Sequence, residues 1–264
     1  MLFSQILASM QPQDGGWGAV IGEDWSQGRA TFGGLVAALG NEGMRRLVPA
    51  DRPLRALETV FVGPTMAGPV RIEAQVLRVG KAVTIASARL WSDKKVSATL
   101  TGIYGAARAA AISIAPATAT DVRRVEDLPD SITPSNLGAT AFLQHFGFRW
   151  AEGKGPFAAS SSSRTKIYVR HQDGAALTES HLVALIDCIP SVVLQRMSRV
   201  VPSSSLTWSL QFLRHDFSFA PAAWWRIDAD VDSAADGYTC ESSVILDPAG
   251  IPAAISRQLV AVYG

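Results

Sequence analysis

The sequence predicts an α+β protein of two tandem units, each with one central helix wrapped by an antiparallel sheet. Three observations carry that prediction. Residues 31–47, TFGGLVAALGNEGMRRL, read as a helix with small or apolar residues on nearly every side, as in a helix enclosed by other structure. Four strand patterns follow it. The same order of elements returns after residue 140, and internal duplication accounts for the recurrence.

In the first unit Thr31 can cap the helix and Pro49 limits it. The strand patterns are 54–62, 69–79, 82–92 and 95–104, separated by Gly, Pro and Asp-Lys-Lys turns that suit antiparallel pairing. An Ala-rich, Pro-containing stretch from about 106 to 140, including DVRRVEDLPD, shows no sustained period and reads as a linker. Strands are then expected near 142–150 and 164–170, a nearly all-apolar helix over about 179–198, and strands near 205–213, 223–231, 238–246 and 253–263. Leu35-Val36-Ala37 matches Leu182-Val183-Ala184, Phe61 matches Phe212, and Tyr104-Gly105 matches Tyr263-Gly264. The expected units are 1–107 and 141–264, joined by a linker over 108–140. Two such layers can place their sheets side by side.

Composition excludes several classes. Hydrophobic residues make up 48% and charged residues 18%, as in a folded globular chain. A net charge of +1, from 24 basic and 23 acidic residues, gives no field to attract a polyanion, so nucleic acid is not an expected partner. The start, MLFSQILASMQPQD, lacks a positive n-region, and no run is long and apolar enough to span a bilayer. A cytoplasmic protein with no membrane partner is the expectation. Cys188 and Cys240, with no CxxC spacing, are read as buried thiols. His145, His171, His181 and His215 lack metal-ligand spacing and are assigned solvated or packing roles. GxSxG, GxxxxGK[ST], HExxH and GxGxxG are all absent.

Three polar residues stand out within apolar patterns. Asp187 lies in LTESHLVALIDCIPSVVLQRM, where its neighbours leave almost no exposed face, so an acid there needs hydrogen-bond donors. A functional site explains it, as does a structural or partly exposed Asp. Pro190 frees the carbonyl of Ile186 and can distort the helix beside it. Ser205 opens the alternating strand SLTWSLQF, where its hydroxyl can orient water or belong to a solvated loop. Gln258, in AAISRQLVAVY, shares a strand face with Ser256, Val260 and Val262; its amide can hold a water and a carboxylate, or satisfy a strand edge.

The chain resembles the type II acyl-CoA thioesterases, the thioesterase-like double hot-dog proteins, over nearly its whole length. The resemblance rests on WSQGRATFGGLVAAL and FVGPTMAGPV in the first half and on ALIDCIPS, SSLTWSLQFLR and DPAGIPAAISRQL in the second. It implies hydrolysis of an acyl-CoA by a water that an Asp, a Thr or Ser hydroxyl and a Gln bind and activate. Those roles fall on Asp187, Ser205 and Gln258. Backbone N–H groups near a helix N-terminus would stabilise the oxyanion, without metal or organic cofactor, and a homodimer is implied. The family's FHR pattern appears here as Phe212-Leu213-Arg214. A catalytically silent acyl- or acyl-CoA-binding protein and a hot-dog hydratase or dehydratase are the alternatives. By the sequence anchors, Asp187, Ser205 and Gln258 correspond to Gly40, Leu54 and Thr99, so the first unit is expected to be non-catalytic.

Overall fold

A computed structural model describes residues 1–13, 15–117, 123–130 and 140–263. In the first half, α1 (Phe3–Ala8), β1 (Gln11–Gln13), β2 (Gly16–Ile21), β3 (Ser26–Gln27) and β4 (Ala30–Thr31) precede the long helix α2 (Gly33–Arg45). There follow β5 (Leu54–Phe61), β6 (Gly68–Val79), β7 (Val83–Ser92) and β8 (Lys95–Gly105). The second half holds β9 (Phe146–Glu152), β10 (Arg164–His171), α3 (Glu179–Ile186), β11 (Ser203–Phe212), β12 (Trp225–Ala235), β13 (Tyr238–Leu246) and β14 (Pro252–Val262).

Twelve strands form one antiparallel sheet in the order β1-β2-β6-β7-β8-β5-β11-β14-β13-β12-β10-β9, with β3-β4 a separate small ladder. The order is a mirror about the centre. Six strands come from each half, and β5 pairs with β11 where the halves meet. This is the double hot-dog α+β fold. In α2 the residues Leu35, Val36, Ala37, Ala38 and Leu39 are all buried, which explains the missing polar face. Removing one Leu side chain fully from water is worth about 1.5–3 kcal/mol, so the enclosed helix anchors its half of the core.

Register shows the internal symmetry more sharply than sequence anchors do. Phe61 pairs with Ala98, Leu57 with Gly102 and Leu54 with Tyr104 in the first half; Phe212 pairs with Ala254, Trp208 with Gln258 and Ser205 with Val260 in the second. Both ladders carry an irregularity at the same place, between Leu54 and Ala56 and between Ser205 and Thr207. The residue equivalent to Gln258 is therefore Gly102, correcting the assignment to Thr99.

Other expectations are also corrected. The second helix ends at Ile186 instead of continuing to 198, and the chain resumes as a 3-10 turn at Val192–Arg196. Pro190 supplies the reason: its ring would clash with the carbonyl four residues back, and it disfavours helical backbone at Ile189. Thr31 is not a cap, since it lies in β4 and Phe32 is the N-cap with no side-chain bond. Cys188 is buried but Cys240 is exposed, because Thr239 and Glu241 take the inner face on either side of it. The strand expected at 142 starts at Phe146, after a 3-10 turn at Ala141–His145, and β1 and β2 had no predicted counterpart. Of the linker, 118–122 and 131–139 lie outside the described residues, as does Gly264. Its described stretch 123–130 lies against the sheet edge: Arg149 donates to the carbonyl of Val125 (2.9 Å) and Tyr168 to that of Arg123 (3.3 Å).

Candidate active site

Asp187 is the cap residue immediately after α3, with φ −85° and ψ −4°. Gln258 projects from the inner face of β14, opposite buried Trp208. Its Nε2 donates to Asp187 Oδ1 at 2.5 Å, joining residues 71 apart in sequence. A second donor to the carboxylate comes from the other half of the chain, the N–H of Gly34 in the first turn of α2. Positive partial charge at the start of that helix favours an anion there. The site thus lies where the halves meet rather than within the second alone.

The Gly33-Gly34 pair makes this approach possible. A Cβ on Gly33 would lie 2.9 Å from Asp187 Oδ2 and 3.2 Å from Phe61 Cζ, and one on Gly34 would lie 2.9 Å from the carbonyl oxygen of Ala184. Neither helix backbone could come as near with side chains in between. Burial raises the Asp187 pKa to about 7, against the opposing pull of the Gln258 and Gly34 hydrogen bonds. A carboxyl group titrating near neutrality is matched to general-base work.

Beside the pair is a cavity of about 20 Å³, whose polar lining is Asp187, Ser191, Glu241, Ser243, Ser256 and Gln258. A water molecule needs on the order of 10–15 Å³ and two to four polar partners, and both conditions are met. Ser256 already accepts from Trp208 Nε1 at 2.8 Å, which leaves its own hydroxyl hydrogen free to point elsewhere. Asp187 and Gln258 are both only partly buried, so solvent reaches the site.

Of the three sequence candidates, Asp187 and Gln258 are brought together. Ser205 stands opposite Val260, one inner-face position beyond Gln258 and across the β11 irregularity. Its hydroxyl bonds to neither partner and does not line the cavity. Sequence reasoning missed Glu241, which is 6% exposed and pairs in register with Gln258. The available signal was the alternation Thr239, Glu241, Ser243 in β13, an unusually polar set for an inner face, but alternation alone does not say which face is inner. Among the described residues no histidine is hydrogen-bonded to Asp187: His171 bonds to the carbonyl of His181, the His181 ring contacts Thr178 Oγ1, His145 stacks on Trp25 at 3.9 Å, and His215 contacts Arg55. Among the described residues, no three His, Cys, Asp or Glu side chains converge as metal ligands.

Two family profiles match the sequence. One, described as acyl-CoA thioesterase N-terminal domain, matches residues 21–105; the other, described as acyl-CoA thioesterase C-terminal domain, matches residues 120–262. Among solved structures, a hot-dog protein of unknown function from Alicyclobacillus acidocaldarius superposes with TM-score 0.88 at 21% identity, over 99% of this chain and 98% of that one. Acyl-CoA thioesterase II TesB2 from Mycobacterium marinum gives TM-score 0.75 at 16% identity, over 99% and 98%. The TesB protein of Mycobacterium avium subsp. paratuberculosis gives 0.78 at 15%, again over 99% and 98%. At these identities the structures establish the fold. No curated protein matches the sequence.

Proposed function

The chain belongs to the acyl-CoA thioesterase family, and on that premise we propose that it hydrolyses an acyl-CoA to the free acid and CoA at the site around Asp187. The observation that carries the reading is the Gln258-held carboxylate, with its pKa raised to about 7, beside a polar cavity large enough for water. In this mechanism Asp187 takes a proton from a water in the cavity as that water attacks the thioester carbonyl. The tetrahedral oxyanion forms near the start of α2, where backbone N–H groups favour negative charge. Collapse breaks the C–S bond, and the proton held by Asp187 passes to the departing CoA sulfur.

Gln258 keeps the carboxylate oriented and holds the water. Ser205, one inner-face position further along, offers its hydroxyl to the substrate at the rim. General-base action is worth about 10²–10⁴-fold and an oxyanion donor about 10²–10³-fold, enough together for useful turnover. A hydratase would need a histidine working with the acid, and Asp187 has none bonded to it. The same reading carries a dimer of chains and a cytoplasmic location, which light scattering and cell fractionation test. Among the described residues no helix is long and apolar enough to cross a membrane.

An acyl-CoA panel, read by release of free thiol, tests the activity. Saturable release from at least one member is expected. Binding of acyl-CoA with no release from any would replace the hydrolase by a silent acyl-binding protein.

A further inference from the structure

Asp187 begins a short segment whose path no regular element dictates. The helix has ended, Pro190 prevents its continuation, and the 3-10 turn starts only at Val192. Two side chains on adjacent strands hold the ends of this segment. Gln258 on β14 bonds to Asp187, and Glu241, its register partner on β13, holds the other end. Glu241 Oε1 accepts from Ser191 Oγ at 2.6 Å and from the Val193 N–H at 3.0 Å, while Oε2 accepts from the Val192 N–H at 2.9 Å. Thr239 Oγ1 adds a longer bond at 3.4 Å.

We infer that Glu241 is a positioning residue of this site: together with Gln258 it grips both ends of the Asp187–Ser191 segment and so fixes the carboxylate beside its cavity. The inference rests on the reading of Asp187 as the base. Several observations converge on it. The N–H groups that Glu241 engages open the 3-10 turn, where the backbone has no partner of its own. A neutral side chain could cap such a turn without the cost of burying a carboxylate, and that cost is real, since burial raises the Glu241 pKa despite its donors. Catalytic groups must be held to within about 0.5 Å, which a free Asp187–Ser191 segment would not ensure.

Glu241→Gln keeps the shape but turns an amide NH₂ toward groups that are themselves donors, so the grip loosens. The expected result is a fall in kcat of about tenfold or more with KM within about twofold. Ser191→Ala, which leaves both backbone bonds, lowers kcat by about threefold, and the double variant is no worse than Glu241→Gln alone, as expected of residues acting as one unit. Glu179→Gln is the structural control: that partly buried carboxylate accepts from the Leu54 N–H at 2.7 Å, away from Asp187, so Tm falls and kcat holds. Unchanged kcat in Glu241→Gln, or a loss no larger than in Glu179→Gln at equal loss of Tm, overturns the assignment.

A second measurement does not depend on turnover. Carboxyl NMR follows the Asp187 titration, whose midpoint should move from about 7 by one pH unit or more in Glu241→Gln. It falls if the carboxylate is freed into solvent and rises if only the Gln258 bond is lost. An unmoved midpoint overturns the inference even if the wild type cleaves no thioester, a result that would count separately against the hydrolase. If Glu241→Gln does not fold, Ser191→Ala decides the matter by the same titration, with a move of about half a unit expected.

Discussion

Around Asp187 the start of α2 meets the end of α3 above β14; around Asn41 the start of α3 meets the second half of α2 above β8. These are the two quasi-equivalent places that the duplication creates, and they have opposite characters. At the second, Tyr104 Oη donates to Asn41 Oδ1 (2.8 Å), Asn41 Nδ2 to Ser180 Oγ (3.1 Å), and Ser180 Oγ to Glu42 Oε2 (3.2 Å). Asn41 and Tyr104 are both 0% exposed. The Tyr104 ring lies over Gly102, the equivalent of Gln258, where a Cβ would come within 2.7 Å of the ring. An aromatic side chain thus fills the room that is open at the first place. The scaffold supplies two helix starts facing two helix bodies; side-chain volume and hydrogen-bond closure determine which one can admit water.

The contrast breaks if the closed place proves catalytic. Asp187→Asn, nearly isosteric but no base, should lower kcat by about 10²-fold or more with the fold intact, whereas Asn41→Ala should lower Tm and leave kcat within about threefold. Steady-state kinetics with circular dichroism checks both, and the reverse ranking would move the active site.

Proton linkage gives the next effect. On the proposal that Asp187 is the base, it must be ionised to act, and kcat/KM should fall about tenfold per pH unit below about 7 and level off above it. Its folded pKa lies above the unfolded 3.8, so the folded state binds the extra proton: its contribution to stability is present below about 4 and lost as pH rises through about 7. Asp187→Asn should therefore gain in Tm relative to the wild type over that rise. His171 has the opposite sign, its pKa lowered by burial to about 4 from 6.5, so its contribution is present above 6.5 and lost as pH falls toward 4. Thermal melts across pH 4–8 separate the two.

Smaller effects sharpen the comparison. Gln258→Ala should reduce kcat by about tenfold, while Thr99→Ala, three residues from the true counterpart, should change it by less than about threefold. Equal losses would refute the register-based equivalence. Tyr104→Phe should cost about 1–3 kcal/mol by leaving a buried acceptor unpaired, with kcat within about twofold, as measured by denaturant unfolding and kinetics.

Much of the molecule was legible in the sequence because burial leaves local periodicity. The enclosed helix and the eight strands around the two helices follow from alternation, and an awkward Asp and an inward Gln stand out because a lone buried polar group is costly, while their pairing came only as an implication of the family resemblance. What only the tertiary structure decided concerns relations between elements. The Tyr104-Gly105 anchor misplaced the equivalent of Gln258 by three residues, and an odd shift moves a position to the other face of a strand, so register had to be seen. The strands Gln11–Gln13 and Gly16–Ile21 are too short and glycine-rich to show a period, yet they complete the mirror order of the sheet. Glu241 and the Gly34 N–H reach Asp187 and its segment from another strand and from the other half of the chain, and no local pattern encodes that meeting. The sequence by itself determined which residues must be enclosed and which polar groups would need partners there; the packing of two helices on one continuous sheet chose the partners, because those contacts join segments far apart in the chain.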